Sequence, residues 1–280
     1  MWGDHRGAGM KVQMLGLCRF SYVGLRGFQV EHADYQSRRA YLYDPDRLER
    51  RWQWFIQVAM PGWMAQTDPD FTLVIMTGPD LPEPYLSRLA ALCDRVPQLR
   101  LALVPPMAKH REACLQAVAP HVDGTADVVG HFRHDDDDAV ALDYVERSRG
   151  DFARVQDLWR VEERLSLDYG RGLMVKAAQG RVSITPWLCH NMGVALTIFL
   201  RPDAGLSALS FNHAALGKWM PGVSVNTPVM FIRSIHRDSD SGAMGQGTTW
   251  QPQDEPLARL IPRRFGFGRK VMDELARLGG

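Results

Sequence analysis

Val128-Val129-Gly130-His131-Phe132-Arg133-His134-Asp135-Asp136-Asp137-Asp138 is the stretch whose reading decides the fold. It opens as a short apolar-leaning run, the pattern of a buried strand. It ends in four consecutive carboxylates. Neighbouring carboxylates repel one another and compete for backbone hydrogen bonds. A soluble domain has little reason to keep four at a strand end unless something cationic meets them. A hard divalent cation, Mn²⁺ or Mg²⁺, is the natural partner for such oxygens, and it commonly takes further ligands from water and phosphate. The competing reading is a solvated acidic loop or helix start, because Ala139-Val140-Ala141-Leu142-Asp143-Tyr144-Val145 follows and looks helical. The position of the run favours a ligand site, since open α/β sheets bind ligands beyond the carboxyl ends of their strands.

Upstream, Val12–Cys18, Phe71–Thr77 and Leu99–Val104 are apolar runs of strand length. Between them lie helix patterns. The first starts at Asp44-Pro45, a capping residue followed by proline at the first helical position, and extends to about Gln66. The second covers Pro84–Val96 with leucines at three- and four-residue spacing, and a third covers His110–Val122. The first half therefore reads β-α-β-α-β-α-β, which predicts a mostly parallel sheet with right-handed crossovers. No GxGxxG follows the first strand and no GxxxxGK[ST] occurs, which disfavours a dinucleotide-binding domain and a P-loop nucleotidase. Downstream, after a helix expected over Ala139–Trp159, short strands are predicted at Leu165–Tyr169, Gly172–Ala177, Val182–Thr185, Gly193–Leu200 and Val229–Ile235. A closing helix is expected over Ile261–Leu278. Arg237–Gly247, rich in serine and glycine, reads as a mobile loop.

The composition bounds the function. The chain has 280 residues, 45% hydrophobic and 23% charged, with a net charge of +1. That balance supplies no global field toward nucleic acid or a membrane surface. Four widely spaced cysteines without a CxxC pair read as buried free thiols in a reducing compartment. No apolar stretch reaches 18 residues and residues 1–10 lack the apolar centre of a signal peptide. The expectation is a cytoplasmic protein with a disordered extension over 1–10 and one domain over 11–280. Its oligomeric state stays open. Trp52, Trp54 and Trp63 are expected in the core, whereas Trp187, Trp219 and Trp250 are placed to floor a pocket.

Ala65-Gln66-Thr67-Asp68-Pro69-Asp70-Phe71-Thr72-Leu73-Val74-Ile75 resembles the Q-T-x-x-D-F-E-L-V-I step into the second strand of family 2 glycosyltransferases. More narrowly, the chain resembles a bacterial rhamnosyl transferase family. The resemblance is carried by Gly16–Tyr22, Gly27-Phe28-Gln29, Gln66–Phe71, Phe132–Ala139 and Arg233-Ser234-Ile235-His236, which are spread over most of residues 11–270. It implies a GT-A-like α/β fold, with a nucleotide-sugar half over 11–140 and an acceptor half over 141–280. It also implies a metal-dependent transferase that moves a sugar from a nucleoside diphosphate sugar to a saccharide acceptor.

Both Asp135/Asp137 and Asp136/Asp138 are D-x-D pairs, and alternate residues of an extended segment face the same way. Asp136 and Asp138 are favoured as metal ligands because they lie farther past the strand end, leaving Asp135 to reach ribose or order Arg133. The resemblance implies that His236 completes the metal site. It also implies that the loop after the first strand cradles the nucleotide, with Arg19 at the phosphates and Phe20 or Tyr22 stacked on the base. Arg233, Arg237 and Lys218 are further phosphate candidates. Asp168 is the favoured acceptor base among Asp168, Glu162, Glu163 and Asp143, and His190-Asn191 is expected to line the acceptor pocket. Relief of repulsion predicts that Asp136→Ala and Asp138→Ala leave metal-free stability unchanged or raised. Two other classes compete, a metal-dependent phosphoesterase and a non-catalytic nucleotide-sugar-binding protein.

Overall fold

A computed structural model describes residues 9–24, 34–107, 109–239, 247–252 and 255–278. Residues 1–8 of the expected extension, the Gly27-Phe28-Gln29 piece and residues 240–246 of the expected mobile loop lie outside the described residues.

The main sheet opens with strands β1 (Val12–Arg19), β2 (Thr72–Thr77), β3 (Leu99–Leu103) and β4 (Val128–Asp135), all paired in parallel. Every residue of β2 from Leu73 onward is buried. A near-continuous apolar run is what a strand covered on both faces requires, which is why these segments do not alternate. The covering helices are α1 (Tyr35–Leu42), α2 (Pro45–Trp54), α3 (Met60–Met64), α4 (Tyr85–Arg95) and α5 (His110–Val118). Asp44 caps α2 as expected, its side chain accepting from the Arg47 N–H at 2.8 Å. A π-helical turn over Phe55–Ala59 carries α2 into α3. Gly16 lets β1 and β4 approach: a Cβ there would stand 2.0 Å from the Phe132 ring. Trp63 in turn stacks on Phe132 at 4.9 Å.

After β4 the chain does not enter a helix. It crosses in three residues to β5 (Ala139–Val140), and α6 (Tyr144–Glu162) begins only at Tyr144. The expected helix start at Ala139 is thereby corrected. Ala139 and Val140 are fully buried and pair with a second sheet, so tertiary contact overrides their helical pattern. Beyond α6 come β6 (Arg164–Tyr169), β7 (Arg171–Ala178), β8 (Arg181–Leu188), β9 (Leu196–Leu200), β10 (Gly222–Val225), β11 (Phe231–Ile235) and β12 (Thr248–Thr249). The main sheet has the order β10-β6-β9-β4-β1-β2-β3, with β9 antiparallel to both neighbours. The second sheet has the order β12-β8-β7-β11-β5. The protein is thus a mixed α/β fold with a mostly parallel main sheet flanked by helices, the layer arrangement expected from the sequence. The single closing helix becomes two, α7 (Leu257–Phe265) and α8 (Arg269–Leu278), because Gly266 turns the chain at φ 78°.

The Gln66-Thr67-Asp68 motif has a mechanical role here. The Gln66 amide donates to the Gly62 and Ala141 carbonyls at 2.8 Å each, and its oxygen accepts from the Val145 N–H at 2.9 Å. The Thr67 N–H donates to the Leu142 carbonyl at 2.8 Å, and Asp68 pairs with Arg149 at 3.0 Å. The motif therefore clasps the chain just after the aspartate run to the end of α3.

Candidate functional site

The four aspartates span the gap between the two sheets. Asp135 ends β4 at the carboxyl edge, opposite Arg19 in the parallel register of β1. Asp138 leads into β5, which pairs with β11 through Phe231 and Ile232. That pairing sets Arg233 and Ser234 against Asp138.

Each carboxylate meets an arginine. Asp135 receives Arg19 at 2.9 Å, Arg133 at 3.1 Å and Arg233 at 3.4 Å. Asp136 and Asp137 share Arg51, which reaches Asp137 at 2.8 Å. Asp138 accepts from Arg233 and from the Ser234 N–H, both at 2.9 Å. Four carboxylates thus face four guanidinium groups, a formal balance of −4 + 4 = 0. His236 Nε2 lies 3.0 Å from the same Asp137 oxygen that Arg51 binds, and its ring stacks on Trp54 at 4.5 Å. Asp238, two residues on, takes a bidentate fork from Arg50 at 2.7 and 3.0 Å.

The electrostatics divide the run. Burial opposes ionisation of Asp135, yet Arg133, Arg19 and Arg233 hold its carboxyl well below the usual range. Against the same burial cost, Arg51 and His236 hold Asp137 low. Asp138 is fully buried, and burial pushes it up to about 7, with Asp137 and Asp135 adding to the rise and Arg233 opposing it. Burial also lowers the His236 imidazole, so its neutral form is favoured.

The expected metal set does not come together in this arrangement. Both Asp136 oxygens are engaged by Arg51, both Asp138 oxygens are taken by Ser234 and Arg233, and His236 turns to Asp137 instead. Among the described residues, no group of three or more His, Cys, Asp or Glu side chains is placed to hold a metal ion. The donor set as built therefore does not fit a divalent cation. The cation that the carboxylate run demands is supplied by arginine. Truncating Asp136 strips buried Arg51 of a partner, which opposes the expected gain from relieved repulsion; at Asp138 the neighbouring carboxylates and burial do raise the pKa, so there the relief of repulsion is set against the loss of the Arg233 contact.

The aromatic candidates are also placed elsewhere. Phe20 is fully buried, edge-on to Trp52 at 6.1 Å and against Phe55 at 5.2 Å. Tyr22 is 2% exposed and its hydroxyl donates to the Pro105 carbonyl at 2.8 Å. Neither offers a ring face to a nucleobase, which corrects the stacking role expected of them. Arg19, Arg133 and Arg233 do converge, and with Asp135 they form the partly open rim of the cluster, their side chains 16–22% exposed.

Asp168, at the end of β6, is 2% exposed. Its Oδ2 lies 3.3 Å from His190 Nδ1 and accepts from the Ser224 hydroxyl at 3.5 Å. It is not placed to take a proton from an acceptor directly, which corrects its expected role as the base. Sequence reasoning missed Arg51, although a signal exists. Arg47, Leu48, Arg51 and Trp54 form the buried stripe of α2, and a charge on such a stripe calls for a buried partner.

The chain belongs to the family described as "Putative rhamnosyl transferase", which matches residues 13–248. Among solved structures it is similar to Staphylococcus aureus TarS 1–349 in complex with UDP, at 8% identity and TM-score 0.43, covering 80% of this chain and 61% of that one. It is also similar to a protein from Desulfovibrio desulfuricans G20 described as a "putative nucleotide-diphospho-sugar transferase", at 12% identity and TM-score 0.33, covering 77% of this chain and 79% of that one. The chain thus spans about three fifths of the TarS fragment. No curated protein matches it. No helix among the described residues is long and apolar enough to cross a membrane.

Proposed function

We propose that the protein transfers a sugar, rhamnose by the family's description, from a nucleoside diphosphate sugar to a saccharide acceptor. The observation that carries this reading is the convergence of Arg19, Arg133 and Arg233 on one carboxylate, Asp135, at the carboxyl edge of β1 and β4. Guanidinium forks match phosphate oxygens, and an arriving diphosphate competes with Asp135 for them. As the glycosidic bond breaks, negative charge grows on the leaving diphosphate, and these fixed cations stabilise it. Asp136, Asp137 and Arg51 form the buried floor that keeps the rim in place.

Mn²⁺ or Mg²⁺ is retained as the expected charge partner of the diphosphate, but no step is assigned to it, because the carboxylates are engaged by arginine. A phosphoesterase is disfavoured for the same reason: that chemistry needs carboxylates available to metal.

The test is a thermal-shift series with UDP, GDP and dTDP, each with and without Mn²⁺. One nucleotide is expected to raise Tm in the wild type and to lose that effect in Arg133→Ala. No shift with any of the three, in either condition, would overturn the donor-site reading. A shift that appears only with Mn²⁺ would restore the metal to the site.

A further inference from the structure

The pair His190–Asp168 stands apart from the arginine cluster and is unused by the reading above. His190 is the one exposed histidine among the described residues, with 47% of its side chain accessible, while its partner Asp168 is buried. Nδ1 faces the buried carboxylate, so Nε2 is the outward nitrogen. A carboxylate accepting from Nδ1–H fixes the tautomer and leaves the Nε2 lone pair free to accept a proton. The Ser224 hydroxyl donates to the same Oδ2 at 3.5 Å, and Oδ1 is buried without a hydrogen-bond partner among the described residues. Burial raises the pKa of Asp168, and Asn191, His190 and Ser224 oppose that rise.

The surroundings are shaped for this ring. Gly170 makes room for it and for Asn226: a Cβ there would stand 2.6 Å from Asn226 Oδ1 and 2.8 Å from both Cε1 and Nδ1 of His190. The next residue, Asn191, has φ 53°, and Ala195 at the far end of the same loop has φ 51°. Left-handed backbone in alanine has no local side-chain compensation and is unfavourable. Such strain persists only where the surroundings impose it.

The same loop runs to the arginine rim. A Cβ on Gly193 would lie 3.6 Å from Arg133 Nε, and the Asn191 carbonyl is 2.6 Å from His213 Nδ1. Gly193 lies three positions after His190, so their Cα atoms are at most roughly 11 Å apart. That is the scale of one sugar ring plus its phosphate linkage.

The geometry points to His190 as the general base of the transfer, with Asp168 as its positioning residue. This assignment rests on the donor-site reading. The acceptor hydroxyl gives its proton to His190 Nε2 while its oxygen forms the new bond to the anomeric carbon. The bond from that carbon to the diphosphate oxygen breaks, and the electron pair leaves with the nucleoside diphosphate. The imidazolium so formed lies against the Asp168 carboxylate and later returns its proton to water.

Two measurements test the assignment. The first needs no substrate. Diethyl pyrocarbonate acylates a nucleophilic imidazole nitrogen, and peptide mass spectrometry locates the product. His190 is expected to react fastest among the histidines of the intact protein. Asp168→Asn, which presents an amide donor to Nδ1 and shifts the proton to Nε2, is expected to slow it at least about tenfold. Equal rates in the two proteins would overturn the dyad.

The second measurement follows nucleoside diphosphate release from UDP-glucose, GDP-mannose and dTDP-rhamnose with a saccharide acceptor panel. His190→Ala and His190→Gln are expected to lower kcat by about 10²–10⁴, with donor KM unchanged and partial rescue of His190→Ala by added imidazole. Gly170→Ala, which displaces the ring, is expected to lower kcat in the same way. Wild-type turnover in the His190 variants, or a loss confined to acceptor KM, would overturn the base assignment. Failure of the donor reading is distinguishable, because it appears as the absence of any nucleotide-induced thermal shift in the wild type.

Discussion

Arg51→Met is the sharpest probe of the cluster. The Arg51 side chain is 8% exposed, and its partners Asp136 and Asp137 are 4% and 8% exposed. Methionine keeps the aliphatic stem, so little cavity opens and the change is chiefly electrostatic. Removing one side of a buried ion pair typically costs about 3–5 kcal/mol. Against a total domain stability on the order of 5–15 kcal/mol, such a loss moves the urea midpoint by about 1–2 M. The pH dependence follows from the sign of the shifts. The folded-state pKa of Asp137 is depressed with Arg51 among the causes, so its contribution is fully present above the unfolded value and is lost as pH falls through the folded one. In the variant the Arg51 part of this contribution disappears, and burial instead favours protonated Asp137. The gap between wild type and variant is therefore expected to be widest at neutral pH and to narrow toward pH ~4, the unfolded carboxyl value. Urea titrations at several pH values measure it. A gap below about 1 kcal/mol, or one that does not change with pH, would refute the claim that Arg51 neutralises two buried carboxylates.

Three further outcomes are expected. Asp138 has a folded pKa of about 7, above its unfolded value, so the stability it contributes is present at low pH and lost as pH rises through about 7; the Tm of Asp138→Asn, relative to wild type, should rise between pH 5 and 8, and a pH-independent difference would count against the assignment. Gly16→Ala places a Cβ 2.0 Å from the Phe132 ring, which Trp63 backs at 4.9 Å, so overpacking should cost about 1–3 kcal/mol or more in urea unfolding, and a neutral result would mean that the ring moves freely. Gln66→Leu removes three hydrogen bonds that clasp α3 to the start of α6, an expected loss of about 2–4 kcal/mol, and hydrogen exchange should rise at Val145 rather than across the whole sheet.

The parallel half of the fold was legible because β1, β2 and β4 are buried along nearly their whole length and α2 carries its cap in sequence. Val12–Arg19, Thr72–Thr77 and the Asp44-Pro45 start fall where the apolar runs and the capping residue place them. Ala139–Val140 was misread for a physical reason. Two residues carry no period, and what makes them a strand is their pairing with Phe231 and Ile232, some ninety residues away. The break between α7 and α8 was available in principle, since Gly266-Phe267-Gly268 interrupts the helical pattern.

The site shows the same division more sharply. Local reasoning established that Asp135–Asp138 need positive charge, and that inference holds. It could not identify the cation, because Arg19, Arg51 and Arg233 come from β1, α2 and β11 and meet only in the fold. A carboxylate run reads alike whether its counter-charge is a metal or a set of arginines. The two cases differ elsewhere in the chain: a metal needs carboxylate oxygens kept available, whereas arginines leave charged residues on buried helix stripes, as Arg47 and Arg51 do on α2. The Asp168 assignment failed in a related way. A carboxylate in the acceptor half was a reasonable base by residue type, but burial decides which member of a hydrogen-bonded pair meets substrate. Here the carboxylate is 2% exposed and the imidazole 47% exposed on its side chain. The proton-accepting atom that the fold presents to solvent is on His190, and Asp168 acts from behind it.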